Sequence, residues 1–139
     1  YRTLIGHSYG GLFTISTLVN QPNLFANYLA IDPSLDWDDQ KLLKEAQEKI
    51  ATQNYKNKAL FVSLSGQLHM QNSQITIDNV MEDTSGFTLF ARSNIAFANM
   101  VKQNAKNGLS FEWKFYPEDL HGTIPFPSIM DGLILFFEW

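Results

Sequence analysis

No cysteine occurs among the 139 residues. Disulfides, thiolate nucleophiles and cysteine-based metal sites are excluded, while the cellular compartment stays open. Long apolar runs are also missing. None approaches the roughly 18 residues that would suggest a membrane span, and no signal peptide stands at the start. Clustered Lys and Arg are absent too: 10 basic residues face 14 acidic ones, for a net charge of −4. That balance leaves no electrostatic footprint for nucleic acid or an anionic membrane. The 3 histidines are scattered without ligand spacing, which argues against zinc catalysis. No metal and no cofactor is expected.

What is present is a chain with 45% hydrophobic and 17% charged residues. This is enough apolar material for a core, and far from the disordered regime. The length suits one domain or part of one. The chain opens on Tyr1 rather than Met, directly before an apolar run. The expectation is one α/β domain over residues 1–139 whose amino-terminal strands lie outside this sequence.

Short apolar strands alternate with helical patterns, which predicts an α/β fold with a doubly wound, mostly parallel sheet. The first strand ends at Thr3-Leu4-Ile5. A helix follows over 10–20, with Leu12, Ile15, Ser16 and Val19 near one face, stopped at Gln21-Pro22-Asn23. The second strand is 27–31, closed by Asp32-Pro33-Ser34. Asp38 and Asp39 then open a charged helix running to about Ala51, where acids suit the helix dipole. The third strand is 59–65. Residues 67–83 are polar and without period, a length of loop that is usually functional or disordered. Phe87, Phe90, Ala91, Ile95, Ala98, Val101 and Ala105 mark a long helix stopped by Asn107-Gly108. Residues 109–116 alternate apolar and polar, as in a strand with one wet face. A helix over 127–139 closes the chain, with Ile129, Leu133, Phe136 and Phe137 facing inward.

Gly6-His7-Ser8-Tyr9-Gly10 fits G-x-S-x-G between an apolar strand and an apolar helix. A serine hydroxyl is a weak nucleophile unless it is lifted clear of the backbone and handed to a base. A sharp strand-to-helix turn does the lifting, and it brings strand and helix too close for side chains at the flanking glycines. The helix behind Ser8 also aims free N–H groups at any oxyanion forming there. The N–H of Tyr9 is the expected oxyanion donor. The base must come from elsewhere. His121 follows the alternating strand by a few residues, which places it at the carboxyl end of the sheet where doubly wound folds build their sites. His69 follows the third strand in a polar stretch and is the weaker candidate. His7, next to the serine, reads as a packing or hydrogen-bonded structural residue.

"GHSYGG", "YLAIDPSL" and "YPEDLHGTIPFPSIMDGL", in that order, resemble the carboxyl-terminal half of the group of α/β-hydrolases that holds esterase D and the enterochelin esterases. The resemblance runs over nearly the whole chain. It implies Ser8 as nucleophile, His121 as base, and hydrolysis of a carboxylic ester, of siderophore type in some members, through an acyl-enzyme. The partner it implies is a small-molecule ester. It also implies an acid just after the third strand, where this chain reads Ser65-Gly66-Gln67-Leu68-His69 and has no carboxylate. Asp83, folded back from the long excursion, is the first choice for the acid, then Glu82; Asp78 lies in the same stretch. Asp32, at the end of the second strand, is the rival, with an Asx turn before Pro33 as its plainer role. Glu118 and Asp119 read as solvated or turn-forming, and a serine–histidine dyad without an acid stays open.

In such a fold an earlier loop gives the second oxyanion donor, so this segment alone is expected to be a weak catalyst. An exposed first-strand edge would favour self-association. Trp37 and Phe126 offer apolar contact near the site or ordinary packing. The alternative function is a non-catalytic binding or regulatory module that kept the fold.

Overall fold

The computed structural model describes residues 2–104 and 107–138. Among them the element order is β1 (Thr3–His7), α1 (Tyr9–Asn20), β2 (Asn27–Ile31), α2 (Trp37–Thr52), β3 (Ala59–Ser65), α3 (Leu89–Asn104), β4 (Ser110–Tyr116) and α4 (Pro125–Phe137). The four strands form one sheet in the order β1-β2-β3-β4, and every neighbouring pair is parallel. Each connection must therefore cross over, and the sequence supplies a helix for each crossing. No described helix is long and apolar enough to cross a membrane.

Period-2 alternation sorts the side chains onto two faces. Tyr28, Ala30, Leu60 and Val62 pack with Ile15, Leu18 and Val19 of α1, Leu42, Ala46 and Ile50 of α2, and Phe97 and Val101 of α3. Leu29, Ile31 and Phe61 face the other way, onto Ile124 and Phe136 at the α4 end of the chain. Helices thus cover both faces, and β2 is buried throughout, as a parallel sheet requires. β4 has one wet face, with Glu112 and Lys114 exposed. On that edge Lys114 Nζ and Tyr116 Oη both donate to Asp131 Oδ2, at 2.8 and 2.7 Å, tying β4 to α4.

Three expectations need correction. Asp38 and Asp39 do not cap a helix: with Gln40 they form a left-handed stretch, φ 51°, 52° and 60°, inside the first turns of α2. Phe137 does not face inward but is 40% exposed at the end of α4, whereas Phe136 beside it is buried. The polar excursion over 67–83 does not merely run over the surface, since Leu68 and Val80 are buried with Leu64 and Ala91 in a small core of their own. Ala105 and Trp139, placed in helices from the sequence, lie outside the described residues.

Parallel strands share one carboxyl end, and the segments after β1, β2, β3 and β4 all emerge there. The four loops carry Ser8, Asp32, Gln67 and His121.

Candidate active site

Ser8 is the single residue between β1 and α1, with φ 63° and ψ −117°. A side chain rarely adopts that region, and holding one there costs on the order of 1–3 kcal/mol. The turn survives because its backbone is tied down. Ser8 N–H donates to Ile31 O at 3.0 Å, while Ser8 O accepts from Leu12 N at 3.0 Å and Ser34 N at 3.1 Å. Its hydroxyl lies 3.3 Å from Ser34 Oγ. Strain kept at a half-buried hydroxyl predicts that Ser8→Gly raises thermal stability, by about 1 kcal/mol after the entropy of glycine is subtracted. Thermal denaturation of the two proteins checks this, and Ser8→Ala, which keeps the strained angles, should show no such gain.

Asp32 follows β2 directly and also has positive φ, 44°. It is fully buried. Its carboxylate has two fixed partners: Ser65 N–H donates to Oδ1 at 2.8 Å, and His121 Nδ1 lies 2.5 Å from Oδ2. Ser65 is the last residue of β3, so the bond to Oδ1 is made by a backbone that cannot easily move. The carboxylate beside His121 is therefore Asp32, the rival acid of the sequence reading. The preference for Asp83 is not met by the geometry. Asp83 Oδ2 accepts from Ser85 Oγ at 2.5 Å and Thr88 Oγ1 at 2.7 Å, and Arg92 buttresses both residues. Those hydroxyls hold the Asp83 carboxyl below the ordinary carboxylate range, with Arg92 adding a smaller pull. Asp83, Ser85 and Thr88 lie just before α3, and Ser85 N–H also donates to Asp83 Oδ2, at 3.2 Å. Glu82 and Asp78 are exposed, and nothing joins either to His121. Asp119 forms a turn, accepting from Thr123 Oγ1 at 3.0 Å.

His121 sits in the loop between β4 and α4. Besides the Asp32 contact, its N–H donates to Gln67 Oε1 at 2.6 Å and its carbonyl lies 2.7 Å from His7 Nε2. The His7 and His121 rings are 4.6 Å apart between centroids, and Phe90 presents an edge at 5.7 Å. His69 is occupied elsewhere: its Nδ1 accepts from Gln71 N–H and its ring lies 4.9 Å from that of Phe87. The sequence reading missed Gln67, Ser34 and Phe90. Gln67 occupies the stretch after β3 where the resemblance implies a carboxylate, and a lone amide there carries no recognisable pattern.

Tyr9 opens α1, so its N–H is among the first-turn donors that a helix leaves without an internal acceptor. From Tyr9 a groove of about 310 Å³ runs between α1 and α2, lined by Phe13, Trp37, Lys41 and Glu45. Trp37 thus borders the groove that starts beside the serine. Phe126 is 79% exposed on the first turn of α4.

The model of the prolyl oligopeptidase family matches residues 3–126. Among curated proteins, the chain is 28% identical to the siderophore enterobactin esterase of Emericella nidulans, over 94% of this chain and 45% of that protein. It is 30% identical to the ferri-bacillibactin esterase BesA of Bacillus subtilis over 58% of this chain and 28% of that protein. Among solved structures, an IroE-like serine hydrolase from Shewanella oneidensis superposes with a TM-score of 0.76 at 30% identity, covering 94% of this chain and 38% of that one. The chain spans less than half the length of these relatives. Taken with the parallel sheet and its helices on both faces, the family match over most of the chain shows that it belongs to the prolyl oligopeptidase family, with an α/β-hydrolase fold.

Proposed function

We propose that this chain carries the catalytic serine, base and acid of a hydrolase that cleaves carboxylic esters through an acyl-enzyme. The observation that carries the reading is the buried Asp32 at 2.5 Å from His121 Nδ1, at the same end of the sheet as the strained turn holding Ser8. Asp32 keeps the proton on Nδ1, which leaves Nε2 as the free base. Ser8 Oγ attacks the ester carbonyl and gives its proton to Nε2. The carbonyl oxygen takes the negative charge and is met by the Tyr9 N–H and the N-terminal dipole of α1. The tetrahedral intermediate collapses, the C–O bond to the alcohol breaks, and His121 returns the proton to the leaving alkoxide. Water repeats the sequence on the acyl-enzyme and regenerates Ser8. The curated relatives are siderophore esterases, so siderophore-type esters are the proposed substrate class. The groove at Tyr9, Phe13 and Trp37 offers apolar contact for one side of such a molecule.

A fluorophosphonate tests the reading, since it phosphonylates only a serine that a base has activated. One adduct per chain on the peptide containing Ser8, and none in Ser8→Ala, is the expected mass-spectrometric result. An unlabelled wild-type protein would instead support the non-catalytic binding module.

A further inference from the structure

His121 lies in a loop, yet its main chain is held on both sides by side chains from other elements. Gln67 accepts from its N–H at 2.6 Å. His7 reaches its carbonyl at 2.7 Å. A carbonyl only accepts, so His7 Nε2 must carry the hydrogen and donate. Neither bond belongs to a helix or strand ladder.

We infer that His7 and Gln67 are positioning residues that clamp the main chain of His121 and so fix the direction of its imidazole toward Ser8. The inference rests on the reading of Ser8 and His121 given above. Its physical basis is geometric. The bond from Nδ1 to Asp32 fixes one point of the ring, and the ring can still swing about that point. Fixing the backbone on both sides of Cα removes the swing that comes from the loop. The His7 ring, 4.6 Å away and tilted by 35°, limits the rest from one side, and the edge of Phe90 does so from another.

The position of His7 adds a further consequence. It is the last residue of β1, directly before Ser8. The residue next to the nucleophile therefore grips the base, although His7 and His121 are 114 residues apart in sequence. A shift of β1 would carry both groups together and preserve their spacing. Gln67, two residues beyond β3, ties the loop to the strand whose Ser65 already holds Asp32.

The test compares His7→Phe, His7→Gln and Gln67→Leu with the wild type in the full chain, using hydrolysis of a p-nitrophenyl ester. Phenylalanine keeps the ring and loses the donor; glutamine keeps a donor nitrogen at comparable reach. His7→Phe and Gln67→Leu should each lower kcat by about 100-fold, the order expected of a misplacement near 1 Å. KM should stay within about twofold, because no binding contact is removed. His7→Gln should recover most of the loss. The low-field proton resonance of the His121–Asp32 hydrogen bond should broaden in His7→Phe and Gln67→Leu and return in His7→Gln. Unchanged kcat in His7→Phe, or a change confined to KM, overturns the inference. Should His7→Phe fail to fold, unchanged kcat in Gln67→Leu overturns it equally. Ser8→Ala and His121→Ala separate the two levels. If they retain wild-type turnover, the proposed function fails. If they are inactive while the clamp variants are not, only the clamp fails.

Discussion

Asp32→Asn is expected to lower kcat by about 10⁴-fold while the protein still folds. The size follows from the two fixed partners of the carboxylate. Ser65 N–H needs an acceptor and already takes Oδ1 at 2.8 Å. An asparagine must therefore turn its carbonyl oxygen to Ser65 and its amide nitrogen to His121. That nitrogen is a donor, so it selects the tautomer with a lone pair on Nδ1 and a hydrogen on Nε2. Such an imidazole cannot take the proton of Ser8. The geometry stays and the chemistry stops. In the same assay, with a p-nitrophenyl ester and equal amounts of folded protein, Asp83→Asn and Glu82→Gln should leave kcat unchanged. Asp83→Asn should instead lower the melting temperature, because Ser85 and Thr88 lose a charged acceptor. Its carboxyl is held below the ordinary range, so its contribution is present above the unfolded value and fades as pH falls through the folded one. The difference in melting temperature between Asp83→Asn and wild type should therefore shrink in acid. Full activity in Asp32→Asn together with inactivity in Asp83→Asn would reverse the assignment of the acid.

The contrast between Asp32 and Asp83 shows where the sequence stops being informative. Periodicity is a local property, so the strands at 27–31 and 59–65 and the helix after Ser8 could be read directly. The turn at Ser8 was legible because its chemistry is written in consecutive residues. The placement of His121 followed from one strand ending just before it. The acid was different. Asp32 and His121 are 89 residues apart, and which carboxylate meets a histidine depends on how several loops settle at one end of the sheet. Asp32-Pro33 reads locally as an Asx turn, but Ser34 N–H goes to Ser8 O and the Asp32 carboxylate turns away to Ser65 and His121, from a backbone at positive φ. A turn former and a partner for a distant histidine carry the same local sequence, and composition cannot separate the two roles. The left-handed run at Asp38, Asp39 and Gln40 is hidden for a related reason. Local preference favours acids at a helix start, whereas Gln40 is drawn to a distant hydroxyl, with Ser93 Oγ donating to its Oε1 at 3.1 Å.

The two glycines that flank Ser8 look equivalent in the sequence, and their replacement should have opposite results. A Cβ on Gly6 would lie 1.9 Å from Gly10 O and 2.4 Å from Thr14 Oγ1. Neither atom can retreat. Thr14 Oγ1 is bonded to Gly10 O at 2.8 Å, and both belong to α1, whose Ile15, Leu18 and Val19 are fully buried. Moving α1 away would also break its close approach at Gly11, where a Cβ would already meet Pro33 at 3.0 Å. Gly6→Ala is therefore expected to cost at least about 3 kcal/mol, at the upper end of overpacking, and to abolish turnover by displacing the Ser8 turn. A Cβ on Gly10 meets nothing within 4 Å, contrary to the expectation that both glycines are needed for close packing. Gly10 lies in the first turn of α1, where alanine is favoured over glycine by up to about 1 kcal/mol. Gly10→Ala should therefore leave stability unchanged or raise it slightly. Urea denaturation of the two variants decides the matter. Equal losses would mean that strand and helix are not in the contact that places the serine, and the account of the turn would fall with it.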